Sequence, residues 1–189
     1  YVGARFCMGT NPSNANVCLT AIEAPQHSWG DIALLKLSQD ARNVMPGVEP
    51  IPIFTDDFDS SWIGKKVEAS GYGTDEFGYL GTREFTAEPI AQLGSSTVTI
   101  DGQGKHGVCF GDSGGPVMVI ANDGSVRAAG ALSNGDNSCL GWDNYTRVDV
   151  FRDWVEGFTG PTVPPGPVVC GEVNTEGACG PGGKSATWC

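Results

Sequence analysis

Glycine and proline interrupt most of the apolar runs in this chain. The 189 residues include 28 glycines and 12 prolines, and both residue types are typical of the turns that connect short strands. A chain of this length is long enough for one sizeable domain, which buries roughly 70% of its unfolded surface. The pattern therefore favours a globular domain built of many short strands.

The composition argues against several classes of protein. Hydrophobic residues make up 40% of the chain and charged residues 17%, which is typical of a globular rather than a disordered protein. The net charge of −11 argues against a nucleic-acid partner and favours basic ligands, although an acidic surface most often serves solubility. No apolar stretch approaches the length that spans a bilayer, and the first residues do not resemble a signal peptide. We therefore expect neither a nucleic-acid partner nor a membrane partner.

Several apolar runs predict strands. The run at residues 31–37 follows Gly30, and its length and flanks predict a buried strand, although so short a run also suits a helix. Alternating or β-branched residues predict further strands at 65–70, 83–93 and 96–100, with Pro89 indicating an edge or a bulge. Two more apolar runs, at 116–121 and 126–132, are separated by Asn-Asp-Gly and predict a hairpin.

One segment near residue 150 has a different period. The apolar residues that recur there at helical spacing are Val150, Phe151, Trp154, Val155 and Phe158. They predict an amphipathic helix over residues 149–158. Residues 160–169 contain four prolines and predict an extended linker. Residues 170–189 form a Cys-rich tail with little apolar core, so the predicted units are a main domain at 1–159, the linker and the tail.

The seven cysteines suggest disulfides and an oxidising compartment. They lack the paired Cys-x-x-Cys spacing of a zinc site, and the two histidines are isolated, so we expect no metal. The odd count leaves a free thiol or a bond to another polypeptide. Cys7 and Cys18 are close enough in sequence to bridge a local loop, whereas the pairing of Cys170, Cys179 and Cys189 stays open.

The most informative motif is Cys-Phe-Gly-Asp-Ser-Gly-Gly-Pro at residues 109–116. A serine hydroxyl becomes a nucleophile when the backbone holds it exposed and a base takes its proton, which makes Ser113 the candidate. Flanking glycines permit a sharp turn, and the amides of Gly111 and Ser113 can converge where a tetrahedral oxyanion forms. Asp112 is too close in sequence to be the base, and a buried acid there needs a partner of its own. A glycine-rich turn without function is the alternative interpretation, but so many consecutive residues are more specific than a lone Gly-x-Ser-x-Gly.

This motif resembles the signature of the chymotrypsin/trypsin family of serine proteases. Further segments resemble the family in the same order along roughly residues 17–158. They are the run at 31–37, which is similar to the segment with the triad aspartate, then Ser70-Gly71-Tyr72-Gly73, Glu88-Pro89-Ile90, and Tyr145-Thr146-Arg147-Val148 with the helix of Trp154.

The resemblance implies an all-β fold of two antiparallel six-stranded barrels with a C-terminal helix. The chain would supply part of the first barrel and the whole second barrel, with the active site in the cleft between them. The implied reaction is peptide-bond hydrolysis through an acyl-enzyme, with a protein or peptide as substrate and no metal or organic cofactor.

The resemblance also implies roles for individual residues. Asp31 would orient the catalytic histidine, while Gly111 and Ser113 would form the oxyanion hole. Asp112 would bind the new N-terminal ammonium that forms when a zymogen is cleaved, which orders the oxyanion loop. The implied disulfide across the pocket entrance joins Cys109 and Cys139.

Substrate recognition is implied in the same way. Gly107 would lie at the base of the specificity pocket, where it lacks the acid that selects arginine or lysine. Asp143 would reach the pocket floor from a second position and restore some affinity for a basic side chain, or it would merely lie in a turn with Gly141. The remaining pocket residues implied by the resemblance are Val108, Phe110 and the segment Ser133-Asn134-Gly135, which would pair with substrate backbone. Since Asn134 replaces the family's usual tryptophan, we expect a mixed preference, apolar with some tolerance of basic residues.

The family's Ala-Ala-His-Cys segment with the catalytic histidine is absent, because only 30 residues precede Asp31. We expect His27 and His106 to be ordinary surface histidines. Three explanations stay open: a separate N-terminal chain from the same precursor, with or without a disulfide link, supplies the histidine; the protein is an inactive homologue that serves as a binding module; or the sequence is incomplete. We favour the first, a secreted two-chain serine endopeptidase, because Asp31, Ser113 and the oxyanion glycine are all present.

Overall fold

The computed structural model describes residues 2–9, 17–75 and 77–161. Within them lie nine strands and two α-helices. The predicted linker from residue 162 onward and the whole predicted tail, including Cys170, Cys179 and Cys189, fall outside the described residues.

The first sheet is small and antiparallel. Its strands are β1 (Arg5–Met8), β2 (Val17–Glu23) and β3 (Lys36–Leu37), in the order β1-β2-β3. Cys7 lies opposite Cys18 in the β1–β2 register, and the two form a disulfide, as their spacing predicts. This three-stranded sheet represents the first barrel of the predicted fold, which is incomplete among the described residues.

The prediction of a buried strand over residues 31–37 is wrong. Ile32 is buried, but Leu35 is 43% exposed, and the regular strand is limited to β3. A bridge between Gln26 and Ala33 holds the preceding part as an irregular loop. The run is apolar enough for a buried strand, but the described part of the sheet has nothing that covers its outer face.

A short helix and a 3-10 turn connect the first sheet to the second. Helix α1 (Ala41–Val44) begins at Asp40, whose carboxylate accepts a hydrogen bond from the Arg42 amide, as is usual for an N-cap. The 3-10 turn (Ser60–Trp62) is capped in the same way by Asp59. Both caps satisfy amides that a helix start leaves without a partner.

The second sheet is a closed six-stranded barrel, which confirms the predicted second barrel. The strand order is β4-β5-β6-β9-β8-β7, and every hydrogen-bonded pair is antiparallel. The strands are β4 (Lys66–Gly71), β5 (Glu84–Leu93), β6 (Thr97–Asp101), β7 (Pro116–Ile120), β8 (Val126–Gly135) and β9 (Trp142–Arg147).

Side chains that alternate along these strands fill the barrel. Val67 and Ala69 of β4, and Val98 and Ile100 of β6, are buried in one hydrophobic cluster. Phe54, Phe58 and Trp62 add an aromatic group to the same cluster, with ring centroids 4.8–5.3 Å apart. Burial of such side chains is the main stabilising term in a domain of this size.

The predicted C-terminal helix is confirmed as α2 (Arg152–Thr159), which begins three residues later than expected. The residues before it form a turn, in which the Phe151 amide donates to Val148 O at 3.1 Å. Phe151 and Val155 are buried. The helix therefore packs through one apolar stripe, as its periodicity predicts.

Candidate active site

Ser113 lies on an exposed bend immediately before β7. Gly111 and Gly114 flank it with positive φ angles of 102° and 81°, which residues with a side chain adopt at a cost. The Gly114 amide donates to Leu132 O, and the Leu132 amide donates to Gly115 O, both at 2.9 Å. These bonds attach the bend to β8, so the barrel holds the serine hydroxyl outward.

The amides of Gly111 and Ser113 are not used within the described structure. Neither donates a hydrogen bond to another described residue, and both residues are exposed. Two such donors on one bend can stabilise an oxyanion that forms on a substrate carbonyl.

Asp112 points away from the exposed bend into a glycine-lined space. Its carboxylate accepts hydrogen bonds from the Gly73 amide at 2.6 Å and from the Cys109 amide at 2.8 Å. A Cβ atom built on Gly71 would lie 1.8 Å from Asp112 Oδ1, and one on Gly73 would lie 2.6 Å from its Cγ. The Ser-Gly-Tyr-Gly motif is therefore explained by the space that Asp112 needs.

This packing predicts the effect of Gly71→Ala. The added methyl displaces the Asp112 carboxylate, which shifts the neighbouring Ser113 bend, and a shift of about 1 Å can cost about 100-fold in catalytic rate. We expect a loss of about 100-fold in kcat/KM in a folded protein, measured by steady-state hydrolysis of a peptide substrate. The control is Gly157→Ala in α2, where a Cβ meets nothing within 4 Å. Wild-type activity in Gly71→Ala would contradict this interpretation.

Asp31 lies in the loop between β2 and β3 and reaches the second barrel. Ser133 Oγ donates to Asp31 Oδ2 at 2.7 Å, and Thr146 Oγ1 donates to the Asp31 backbone carbonyl at 2.9 Å. Ser133 lines the cleft that Ser113 also lines. Asp31 is thus bonded to a residue of the cleft that Ser113 lines, although Asp31 itself does not line that cleft.

His27 anchors the Asp31 loop, so the prediction of an ordinary surface histidine is wrong for this residue. Its ring packs edge-on against Trp29, Phe151 and Trp154, with centroids 4.7–5.2 Å apart. Its Nδ1 accepts a hydrogen bond from the Gly30 amide at 3.2 Å. The ring is held in this aromatic group and is not among the residues that line the cleft.

His106 lies on the opposite side of the pocket loop. Its Nδ1 is 3.0 Å from Thr86 Oγ1 and 3.7 Å from Glu88 Oε1. Its side chain is 46% exposed, and it is also absent from the cleft lining. Neither histidine of the chain therefore stands between Asp31 and Ser113.

The cleft beside Ser113 has a volume of about 290 Å³. Most of the residues that the resemblance assigns to substrate binding line it, namely Val108, Phe110, Ser133, Asn134, Gly135 and Asp143. The Cys109–Cys139 disulfide forms as implied and lies along the same cleft. The cleft is therefore a concave site with apolar and polar walls beside Ser113.

Gly107 does not line this cleft but lies against its floor. A Cβ atom on Gly107 would lie 2.6 Å from the Cys139 carbonyl oxygen and 3.3 Å from Asp143 Oδ2. A Cβ on Gly135 would lie only 2.0 Å from Asp143 Oδ1. The Asp143 carboxylate thus fits between two glycines that have no side chains to exclude it.

Asp143 belongs to β9 and is buried, so it does not merely sit in a turn with Gly141. Its Oδ2 accepts a hydrogen bond from the Val108 amide at 3.3 Å. Burial raises the pKa of this carboxyl to about 6. The floor of the cleft therefore carries a carboxyl group whose pKa is raised by burial.

The rim of the cleft has an apolar side and a polar side. Phe110 is 66% exposed. Asn134 makes side-chain hydrogen bonds to Ser133 and to Asn144, both at 3.1 Å. These two hydrogen bonds hold the Asn134 amide at the position where the family resemblance implies a tryptophan.

Comparison with known proteins settles the family. A model of the family described as Trypsin matches residues 16–155. The chain belongs to the trypsin family.

Curated relatives of this trypsin-family chain come from insects and from humans. Phenoloxidase-activating factor 1 of Holotrichia diomphalia is 24% identical over 182 residues, covering 83% of the chain and 48% of the relative. Melanization protease 1 of Drosophila melanogaster is 29% identical over 150 residues, with 67% and 37% covered. Azurocidin of Homo sapiens is 28% identical over 141 residues, with 70% and 53% covered. The chain thus spans about half the length of these relatives or less.

A solved structure supports the fold. A mutant of human heparin binding protein matches with a TM-score of 0.62 and 23% sequence identity, covering 82% of this chain and 70% of the other. At that identity the match supports the chymotrypsin-like fold alone.

Two residues near the candidate site were given no role in the sequence analysis. Thr146 holds the backbone of Asp31, and Glu88 lies inside the barrel next to the pocket loop. Alternation gives a signal for Glu88, since it shares the inward face of β5 with the buried Ile90. Thr146 carries no such signal, because the loop that it binds is distant in sequence.

Within residues 2–9, 17–75 and 77–161, no group of three or more His, Cys, Asp or Glu side chains is arranged to hold a metal ion. None of the helices in that part of the chain is both long enough and apolar enough to cross a bilayer.

Proposed function

We propose that the chain is the nucleophile-bearing part of a secreted serine endopeptidase. One observation carries the proposal: Ser113 stands on a glycine bend with two available amides, in a cleft whose wall residue Ser133 binds Asp31. The relatives named above include a melanization protease, which is consistent with this activity. The substrate is a protein or peptide.

The chemistry follows from the roles of these groups. Ser113 Oγ attacks the scissile carbonyl carbon while a histidine takes its proton, and the amides of Gly111 and Ser113 stabilise the resulting oxyanion. The C–N bond breaks as the histidine returns the proton to the leaving amine, which gives the acyl-enzyme. Water then attacks the acyl carbon and releases the acid product. Asp31 keeps the imidazole in the required tautomer and stabilises its charged form.

We propose further that a separate N-terminal chain of the same precursor supplies the histidine. Both histidines of this chain are held elsewhere, by the aromatic group of Phe151 and by Thr86. Phe6 and Ile22 of the first sheet, and Leu35 just before β3, are 43–47% exposed. Strands that complete the first barrel would cover such apolar side chains and satisfy the sheet edges. A disulfide between the chains would use the odd cysteine.

Asp112 is proposed to bind the N-terminal ammonium of the activated chain. It borders an open second cleft of about 870 Å³, which Gly71, Gly73 and His106 also line. An ammonium ion in this cleft would pair with the Asp112 carboxylate and fix the neighbouring oxyanion loop.

The specificity proposed for this pocket is mixed. Gly107 brings no acid to the pocket base, while Asp143 brings one from β9. Apolar side chains fit beside Val108 and Phe110, and basic side chains would meet the Asp143 carboxylate. We therefore propose cleavage after apolar residues with tolerance of basic residues.

A non-catalytic binding module is the second candidate. The observation that favours it is the location of both histidines outside the cleft. Such a module would keep the fold and the pocket but would not activate Ser113.

A fluorophosphonate probe separates these candidates, because it reacts covalently only with an activated serine. We expect labelling of intact, non-denatured protein at Ser113, located by peptide mass mapping. Ser113→Ala abolishes the label, whereas Ser95→Ala, at an exposed serine before β6, retains it. Absence of label on the intact wild type would favour the binding module. The intact mass under non-reducing and then reducing conditions shows in the same sample whether a second chain is attached.

A further inference from the structure

Glu88 is a fully buried carboxyl group that the proposed mechanism does not use. Its exposed fraction is 0%, and neither carboxylate oxygen has a hydrogen-bond partner among the described residues. A buried acid that makes no hydrogen bond, and whose ion-pair contact is with the 46% exposed His106 at 3.7 Å, costs stability compared with an apolar residue. Its presence therefore suggests a role beyond packing.

The barrel topology places Glu88 close to Asp143. Strand β6 lies between β5 and β9, and its residue Ile100 pairs with both Ile90 and Asp143. Glu88 shares the inward face of β5 with Ile90, so both acids project into the same interior. Burial, and next the nearby charge of Asp143, raise the pKa of Glu88 to about 7.

The pocket loop runs past both acids. The Val108 amide binds Asp143 Oδ2 at 3.3 Å, while His106 Nδ1 lies 3.7 Å from Glu88 Oε1. Gly107, between them, has no side chain, and the Cβ of any other residue would contact Asp143. Asp143 thus lines the cleft, whereas Glu88 lines neither cleft and contacts the pocket loop through His106.

We propose that Glu88 and Asp143 form a two-carboxyl floor beneath the cleft, in which the negative charge of Glu88 strengthens the binding of a basic substrate side chain by Asp143. This inference deepens the proposed function and rests on its assignment of the cleft as the substrate pocket. Glu88 is a positioning residue, since it acts through the charge of the floor and does not touch the substrate.

Other titratable groups around the floor are mostly acidic. Asp101, Asp112 and Asp136 raise the pKa of Asp143, and Asp101 also raises that of Glu88. The Tyr145 hydroxyl is buried without a described partner, and burial raises its pKa. The basic groups are His106 against Glu88 and Lys105, which lines the neighbouring second cleft with His106. The floor is therefore short of positive charge, which a basic side chain would supply.

The sign of the pH effect follows from these values. Well below pH 6 both carboxyls are mostly protonated and the floor is close to neutral. As the pH rises, Asp143 ionises first and Glu88 second, so the floor gains negative charge in two steps. Each gain of charge favours a bound cation, because charges interact strongly where water is excluded.

The test measures the binding of p-aminobenzamidine, a fluorescent cation, to the intact chain between pH 5 and 8.5. We expect wild-type affinity to rise in two steps, with the upper step, between about pH 6.5 and 8, worth about tenfold. Glu88→Gln loses the upper step and keeps the lower one. Glu84→Gln, at an exposed acid on the same strand, keeps both. The neutral isostere p-aminobenzamide shows no pH dependence with any variant.

Retention of the upper step in Glu88→Gln, or a flat wild-type profile, would overturn the inference. If Glu88→Gln fails to fold, carbon-13 NMR of the wild-type carboxyl groups decides. Glu88 must titrate near pH 7, and saturating p-aminobenzamidine must lower its pKa; failure of either result rejects the two-carboxyl floor. Fluorophosphonate labelling of Ser113 reports separately on the proposed function, because it does not require a charged floor.

Discussion

Replacing Asp31 with asparagine lowers kcat by about 10⁴-fold in the assembled protease while the fold is retained. An asparagine amide oxygen can still accept a hydrogen bond from Ser133, but its NH2 group cannot accept the hydrogen bond from imidazole Nδ1–H as the second carboxylate oxygen does, so the histidine adopts the wrong tautomer. The rate is measured as kcat for a peptide substrate, with circular dichroism spectra as a check on folding.

The matched control for this change is Asp57→Asn, which makes the same chemical change at an exposed position. It should leave kcat within about twofold, as is usual for a surface position away from the site. If Asp31→Asn retained wild-type kcat, Asp31 would have no catalytic role, and the hydrogen bond from Ser133 would be structural.

Arg147→Ala has the largest expected effect on stability. Arg147 and Asp149 form an ion pair with side chains only 11% and 5% exposed. The guanidinium also donates to Gly94 O at 2.8 Å and to Phe58 O at 3.3 Å. Its removal leaves the Asp149 charge buried with fewer partners, which typically costs about 3–5 kcal/mol. Urea unfolding should show a loss of this size in the free energy of unfolding.

Lys36→Ala is the control for the ion pair, since Lys36 pairs with Glu23 on the exposed surface. Exposed pairs contribute at most about 1 kcal/mol. If Arg147→Ala and Lys36→Ala destabilised the protein equally, the loop of Phe58 would not depend on the buried pair.

The second barrel was predictable from the sequence because its strands pair with one another. Each has a partner within the described chain, so alternation such as that of Val98 and Ile100 is sufficient to indicate burial. The amphipathic helix α2 was predictable for the same reason, since the buried stripe of Phe151 and Val155 is visible as a period.

The run at 31–37 shows where an apolar sequence pattern fails to predict burial. Its apolar residues are typical of a buried strand, but burial also depends on the strands that lie over them, and Leu35 is exposed here. A local pattern indicates that a segment prefers burial. It does not show whether an element that is distant in sequence covers that segment.

The candidate site, too, was predictable from the sequence only in part. The bend of Ser113 was predictable, because its glycines are contiguous in sequence. The contacts that carry Asp31 to Ser133, and the Asp143 carboxylate to Gly107, join residues 102 and 36 positions apart. Such contacts are set by barrel closure. The resemblance to a known family suggested that Gly107 and Asp143 share a pocket, but not that Ser133 bonds to Asp31.

The most direct test of the central claim is a crystal structure of the intact protein after reaction with a fluorophosphonate. The account predicts a phosphonate bonded to Ser113 Oγ and an imidazole ring from outside the described residues. That ring should lie within hydrogen-bond reach, about 2.6–3.2 Å, of both Asp31 and the serine oxygen. An unmodified Ser113, or the absence of any imidazole between these two residues, would contradict the assignment as a protease.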